Sequence, residues 1–600
     1  MTQLLPHKID VETRDDGTLI LTSQYPVDPV VKNTGVWLHD WAEKTPEAIF
    51  LAEKSGDNWR EISFAESLST VRAMAQGLLD MGLKPGDRMM VLSGNSVDHG
   101  LIMLAAQYIG VIGVPVAEQY SLIPEARDRL LYIAEKTRPS ALFVSDASLY
   151  GPAIADPAVA EIPVIASDPE GAPRIVTAVA DLAAATPGNA VDAAYAEIGP
   201  DTLAKILFTS GSTSQPKGVC TTQRMMCVNQ AQLAGCLPLL KAKPPKITDW
   251  LPWNHVFGGS HNFNMALANG GSMYIDDGKP VKGLFDKTLD SLRTHPGNLS
   301  FNVPVGWSLL VSAMKQDAGL RKAFFEQVEM LFYAGAALPQ DIWDGLKELS
   351  IEERGEMPFM TSSWGMTETA PATLIVHEMI DKSGVIGVPV PGARIKLVPE
   401  DENRFELRVA GDNIMTAYFE DPGKTADAFD DEGFLITGDA VKFFQPNRRE
   451  AGLLFDGRIT EDFKLMTGTW VRAAALREKA LLALGPLVQD VLVIGQSRSD
   501  IGVLVFPSAA QMREDWSRDG DLITESAYLD QIKTKLADLN SGAAGSSTRL
   551  ARAVILADPP SVKDHEITAK GNLNVSRVLA NRAAAVDRLY DDADAAIVKG

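Results

Sequence analysis

Leu203-Ala-Lys-Ile-Leu-Phe-Thr-Ser-Gly-Ser-Thr-Ser-Gln-Pro-Lys-Gly-Val219 is the stretch on which the reading of this chain turns. Its first half has the apolar character of a buried strand and ends at Phe208. It then opens into the hydroxyls of Thr209, Ser210, Ser212, Thr213 and Ser214, with Gly211 among them and Lys217 just beyond. Small residues let backbone amides approach a polyphosphate, hydroxyls donate hydrogen bonds, and a lysine adds positive charge. The pattern is not a Walker A loop. Counting from Gly211, that motif needs Gly at 216 and Ser or Thr at 218, where Pro216 and Gly218 stand. The plain alternative is a Ser/Thr/Gly turn between two elements.

The segments before this stretch alternate helix and strand patterns. Ser63-Phe64-Ala65-Glu66 reads as a capping box, with Ser63 as N-cap and Glu66 reaching back. Leu68, Val71, Ala75, Leu78 and Leu79 recur at helical spacing, and Gly82 closes the helix. Residues 88–93 and 141–145 read as buried strands, and residues 101–109 and 125–137 as helices. Such alternation predicts a mostly parallel sheet wrapped by helices. Residues 154–202, rich in Ala, Pro, Asp and Gly, read as connecting surface segments with short elements, not as a separate core. Between 392 and 419 the pattern turns to β-type alternation, predicting a small antiparallel unit. After Gly457-Arg458 a compact run follows: helix 473–484, strands 488–494 and 502–506, helix 525–539. The expected class is α/β. A large N-terminal domain of helix-wrapped, mostly parallel sheets with a small β unit spans 1–459, and a smaller, mobile α+β domain spans 460–600.

Composition narrows the function. The 600 residues are 46% hydrophobic and 22% charged, ordinary for a globular chain. With 56 basic and 78 acidic residues the formal charge is −22, the wrong sign for a general nucleic-acid binder. Anionic ligands must therefore be held by local cations and backbone amides. Cys220, Cys227 and Cys236 form no CxxC pair and read as reduced thiols. The N-terminus has no export signal, and residues 99–117 read as a buried helix, a turn and a short strand rather than a membrane span. A cytoplasmic location is the expectation. Nothing in the sequence specifies an oligomeric state.

The Thr209–Lys217 stretch resembles the phosphate loop of the adenylate-forming superfamily, which includes acyl-CoA and aryl-CoA synthetases, adenylation domains and luciferases. Other segments resemble that family's motifs in order: Trp253-Asn-His-Val-Phe-Gly-Gly259, Tyr333-Ala-Gly-Ala-Ala-Leu-Pro339, Ser363-Trp-Gly-Met-Thr-Glu-Thr369, Thr437-Gly-Asp439 and Gly457-Arg458. The resemblance covers residues 37–579. Within the superfamily, Leu92-Ser-Gly-Asn-Ser96, the run 455–471 and Glu566-Ile-Thr-Ala-Lys-Gly571 are most similar to bacterial feruloyl-CoA synthetases.

The resemblance implies ATP-dependent activation of a carboxylic acid as acyl-AMP, followed by transfer to coenzyme A, with ferulate or a related aromatic acid as substrate. It implies Mg²⁺ held by Glu368, with Thr367 donating to phosphate. It places Gly335, Ala336 and Ala337 against the adenine, Trp364 stacked on it, and Gly365 and Met366 beside it. Asp439 accepts from the ribose hydroxyls, with Arg458 on the ribose or on Asp439. His255 becomes a pocket wall or thiol gate. Phe257, Val303, Trp307, Gly335 and Met366 become candidate walls of the acyl pocket. The family places its adenylation lysine near the C-terminus in Gly-Lys order; here Thr568-Ala-Lys570-Gly571-Asn572 inverts it. Lys570 is the first candidate and Lys464 the second. Thr460 stands at the expected pivot, with Gly468-Thr-Trp470 on the segment that would face the CoA tunnel. The alternatives are a medium- or long-chain fatty acyl-CoA ligase, an adenylating enzyme that loads a carrier-protein thiol, and an inactive nucleotide-binding homologue.

Overall fold

The computed structural model describes residues 4–56, 58–209, 215–281, 283–508, 511–513, 515–543, 545–561, 564, 566–567 and 573–600. Local signals place the early elements. Helix Phe64–Asp80 starts at Ser63, whose hydroxyl accepts from the Glu66 amide while the Glu66 carboxylate accepts from the Ser63 amide. Its buried face includes Val71, Met74, Ala75 and Leu78. Helix Val97–Tyr108 is buried along nearly its whole length, which is why its sequence is apolar on every side. Strand Ile112–Pro115 follows it. Among the described residues no helix is long and apolar enough to cross a membrane.

Two large sheets form the body. The seven-stranded sheet runs in the order Lys217–Thr222, Leu203–Thr209, Ile112–Pro115, Arg88–Val91, Ala141–Asp146, Val164–Asp168, Thr177–Ala178. It is parallel except for its first pair, where Thr209 faces Lys217 across an antiparallel ladder. The last two strands are short elements within residues 154–202, and they join this sheet rather than forming a core of their own. Val164, Ile165 and Ala166 are buried, but three apolar residues are too short a run to carry a period.

The second sheet has fifteen strands in one hydrogen-bonded order. Its centre is parallel: Phe359–Gly365, Met330–Tyr333, Leu299–Asn302, Lys246–Asp249, Ser272–Ile275 and Ile49–Ser55. Beyond Phe359–Gly365 it turns antiparallel through Ala372–Ile375, Val385–Pro389, Leu453–Arg458, Leu435–Phe443, Arg404–Ala410 and Arg394–Asp401. The expected small β unit is thus continuous with the main sheet. The N-terminal strands Ile9–Thr13 and Leu19–Ser23 complete its edge.

From Phe463 onward the described residues pack into two apolar clusters of their own, around Val505 and Ile532 and around Phe506 and Leu589. Helix Ala473–Leu484 and strand Val488–Ile494 lie where the sequence predicted them, and helix Ser526–Ser541 covers the expected span. All three cysteines are free thiols, with Cys227 and Cys236 buried.

Candidate functional site

Open α/β sheets bind ligands beyond the carboxyl ends of their parallel strands. Here those ends carry the sequence-predicted residues. Strand Lys246–Asp249 leads to the His255 segment, Leu299–Asn302 to Val303, Met330–Tyr333 to Gly335, and Phe359–Gly365 runs through Trp364 into Met366 and Glu368. In the other sheet, Leu203–Thr209 delivers Thr209, with Lys217 returning opposite it. Ser210, Gly211, Ser212, Thr213 and Ser214 lie outside the described residues, as does Lys570.

The Gly335 turn is open. Gly335 has φ +88°, a conformation costly for any residue with a Cβ, and Gly335, Ala336 and Ala337 are all exposed. A Cβ on Gly335 would meet only the Val303 side chain, at 3.6 Å. Two expected neighbours are therefore brought together. Gly365 is required for a different reason: a Cβ there would lie 1.8 Å from the Pro371 carbonyl oxygen.

Thr367–Thr369 is a single 3₁₀ turn, and all three residues are buried. Glu368 is held from two sides. Its backbone carbonyl accepts from the Met415 amide at 2.8 Å, and its Oε1 accepts from the Tyr418 hydroxyl at 2.9 Å. Burial, and then the adjacent Glu368 carboxylate, push the Tyr418 phenol well above its ordinary range, so it stays a donor. The Lys217 ammonium sits 5.0 Å from the centre of the Tyr418 ring. Behind the turn, the Asn413 amide donates to the Thr369 carbonyl at 2.8 Å, and Gln232 donates to Asn413.

Asp439 and Arg458 face each other on neighbouring strands, with Arg458 Nε 3.4 Å from Asp439 Oδ1. Asp439 Oδ2 accepts from the Trp364 indole N–H at 2.9 Å. Trp364, expected as an adenine-stacking ring, is buried in the apolar cluster of the β unit, and the structure joins it to Asp439.

His255 is half-buried. Its Nδ1 lies 3.4 Å from the Phe257 amide, which donates to it. The chain then forms a π-helical turn, Phe257–Asn262, a widened geometry that recurs at functional sites. Asn95, from the Leu92–Ser96 motif, holds this segment. Its amide donates to the Leu251 carbonyl and its oxygen accepts from the Trp253 amide, both at 2.9 Å. Lys205 Nζ donates to the Gly259 carbonyl at 2.6 Å, and burial lowers its pKa to about 8. Phe257 packs against Phe301 and Phe332 in the main core, whereas Trp307 is buried in another cluster with Leu310, Met314 and Phe324. Trp307 is thus a packing residue of helix Pro304–Gln316 and does not share a cluster with Phe257. Met366 is partly buried on the β-unit side.

In the C-terminal part, Lys464 is exposed on a two-residue strand, with Nζ 4.8 Å from the Trp470 ring across the hairpin. Thr460 lies in the 3₁₀ turn Ile459–Glu461. The chain on either side of the segment carrying Lys570 is anchored. Ile567 pairs with Leu573, and the buried Glu566 carboxylate takes both oxygens to Arg582, at 2.8 and 2.9 Å. Sequence reasoning did not single out Tyr418, Asn413 or Lys205. Their partners lie far away in the chain, so no spacing rule points to them.

Three similarities to known proteins fit this geometry. A long-chain-fatty-acid–CoA ligase of Mycobacterium bovis is 22% identical over 560 residues, covering 85% of this chain and 89% of that protein. A carboxylic acid reductase of Mycobacterium marinum is 23% identical over 528 residues, 78% of this chain but only 42% of that larger protein. The solved structure of o-succinylbenzoate coenzyme A synthetase from Bacillus subtilis, in complex with ATP and magnesium ion, shares the fold. It superposes with a TM-score of 0.68 at 20% identity, covering 91% of this chain and 99% of that one. The AMP-binding enzyme family matches residues 38–419, and the C-terminal domain of AMP-binding enzymes matches 463–594. The chain belongs to the AMP-binding enzyme family.

Proposed function

We propose that this chain is an AMP-forming carboxylate–CoA ligase acting on ferulate or a related aromatic acid. The observation that carries the reading is that Thr209 pairs with Lys217, and Lys217 and Glu368 both meet Tyr418, in a chain of this family. The named relatives include CoA ligases, which supports CoA as the acceptor. The aromatic acid rests on the 455–471 and 566–571 resemblances and on the aromatic surroundings of Phe257.

In the first step a carboxylate oxygen attacks the α-phosphorus of ATP, the bond to the bridging oxygen breaks, and pyrophosphate leaves. In the second, the CoA thiolate attacks the acyl carbon and AMP leaves. Both reactants of the first step are anions, so catalysis is chiefly charge neutralisation at fixed positions. Lys217 and the hydroxyls of residues 209–214 serve the β- and γ-phosphates. Asp439 holds the ribose, and Arg458 steadies Asp439. The Gly335–Ala337 turn admits the adenine.

The donor set also fits Mg²⁺. Glu368 is a hard carboxylate with Oε1 taken by the Tyr418 hydroxyl, and Oε2 would hold an ion that completes its shell with phosphates and water. Magnesium there would supply neutralisation of the triphosphate charge.

We further propose that the chain divides at 460, into 1–459 and 460–600, and that rotation near Thr460 alternately presents Lys570 for adenylation and the Gly468–Trp470 segment for thioester formation. Separate apolar clusters on the two sides of residue 460 support the division.

The test is acid-dependent ATP–pyrophosphate exchange, followed by thioester formation from free CoA across hydroxycinnamates, benzoates and fatty acids. Exchange with hydroxycinnamates and conversion to their CoA thioesters is the expected outcome. Preference for fatty acids, or thioester formation only on a carrier protein, would overturn the substrate or the acceptor. Lys570→Ala is expected to cripple acyl-AMP synthesis while sparing thioester formation from supplied acyl-AMP. Equal loss in both steps would move the role to Lys464.

A further inference from the structure

We infer that Tyr418 is a positioning residue for the metal-binding carboxylate, setting the orientation of Glu368 and linking it to Lys217. The inference rests on the adenylation reading above and adds a residue to it.

Tyr418 is stapled into place on both sides. It forms a bridge with Val219, the Phe419 amide donates to the Gly218 carbonyl at 2.7 Å, and the Cys220 amide donates to the Ala417 carbonyl at 3.2 Å. Its own amide donates to Thr425 Oγ1 at 3.0 Å. These bonds dock residues 417–419 on strand Lys217–Thr222. On the other side, the Met415 amide binds the Glu368 carbonyl. From this fixed backbone the phenol reaches Glu368 Oε1, and its ring lies under the Lys217 ammonium.

A buried glutamate has three rotatable bonds, and fixing one oxygen removes most of that freedom. With Oε1 engaged by a neutral donor, Oε2 is left to meet a cation. A lysine in place of Tyr418 would neutralise the carboxylate, whereas a phenol orients it and leaves its charge for the metal. The ring meanwhile gives Lys217 an electron-rich face that does not compete for its protons.

Mn²⁺ titrated into the protein with ATP, followed by the resonance of the free ion, tests this without turnover. Removing a hydrogen-bond partner of a metal ligand commonly weakens metal binding about 10- to 100-fold. Tyr418→Phe, which keeps the ring and its packing, should raise the Mn²⁺ dissociation constant by that factor and leave ATP binding in EDTA unchanged. Tyr418→Leu should also weaken metal-free ATP binding, by about 2- to 30-fold, through loss of the ring beneath Lys217. In a Glu368→Gln background, Tyr418→Phe should change Mn²⁺ binding no further.

Wild-type Mn²⁺ affinity in Tyr418→Phe, a loss equally large in EDTA, or additive effects in the double variant would each overturn the inference. Failure of the wild-type protein to bind ATP would overturn both the inference and the adenylation reading. Metal-dependent ATP binding without acid-dependent exchange would overturn the adenylation reading alone.

Discussion

The carboxylates of the large sheet and the lysine of the C-terminal hairpin are built in opposite ways. Glu368 and Asp439 are buried, and each is tied by a neutral donor, Tyr418 to the first and Trp364 to the second. Lys464 is exposed, and its ammonium lies over an aromatic ring that is itself 58% exposed. The two regions meet through charge. Arg404 of the β unit pairs with Asp456 at 2.9 Å and with Asp462 beyond the Thr460 turn, while Arg472 reaches Asp401 at 2.7 Å. The contrast teaches a division of labour. The two acidic side chains are fixed by the fold itself, whereas the lysine is left on the surface, which is what the proposed roles would require. The junction combines a buried ion-pair cluster around Arg404 with a more exposed pair at Arg472.

The largest expected effect lies at that junction. The side chains of Arg404, Asp456 and Asp462 are 7, 6 and 5% exposed. Removing one partner of a buried ion pair leaves an uncompensated charge and typically costs about 3–5 kcal/mol. Arg404→Met should therefore lower stability by about that amount in calorimetric unfolding. Arg472→Met, whose near partner Asp401 is 63% exposed and which reaches the buried Asp456 only at 3.9 Å, should cost less, about 1 kcal/mol. Equal effects for the two would erase the distinction between a buried latch and a surface pair.

A smaller effect is expected within the locked region. Trp364→Phe keeps an aromatic ring in the β-unit cluster but deletes the N–H that Asp439 Oδ2 accepts. A hydrogen bond to a charged group is worth about 1.5–3 kcal/mol. Thermal unfolding should register a loss in that range, with weaker AMP binding alongside it. A neutral substitution would mean that Asp439 is positioned by Arg458 and the backbone alone, which would sharpen the contrast at Glu368 and weaken it here.

How much of this was legible in the sequence follows from how local each signal is. Ser63 and Glu66 sit three residues apart, so their reciprocal bonds were readable as a capping box. Helix Ala473–Leu484 and strand Val488–Ile494 were likewise readable from pattern and punctuation. The motif residues could be named because a resemblance supplied them, and the fold joins some of them, Glu368 to Lys217 through Tyr418 and Trp364 to Asp439. What escaped was non-local. The strand Lys217–Thr222 pairs back on Leu203–Thr209 in an antiparallel ladder, which composition alone does not reveal. Val164–Asp168 joins the sheet on three buried residues. Tyr418 has no pattern of its own; its role exists only because Gly218, Glu368 and Lys217 are brought to it by the fold. Trp364 and Trp307 show the same limit from the other side. Trp364 was expected as an adenine-stacking ring and Trp307 as a candidate pocket wall; both side chains are buried, and the Trp364 indole N–H is bonded to Asp439.

The smallest expected effect tests the exposed side of the comparison. Lys464 Nζ lies over the Trp470 ring in full contact with solvent, where a cation–π contact is worth about 0.5–1 kcal/mol. The hairpin is two residues a side and buries Phe463 and Val471, not the lysine. Its fold should thus survive the loss of the charge. Lys464→Ala should shift stability by no more than about 1 kcal/mol in calorimetry, and Trp470→Ala in the same background should add little, because the pair is a single contact. A loss well above that would mean that Lys464 is held by a partner within the folded chain. A cation so held is not free to approach a nucleotide, and the proposed division between aimed carboxylates and travelling lysines would fail at its most exposed member.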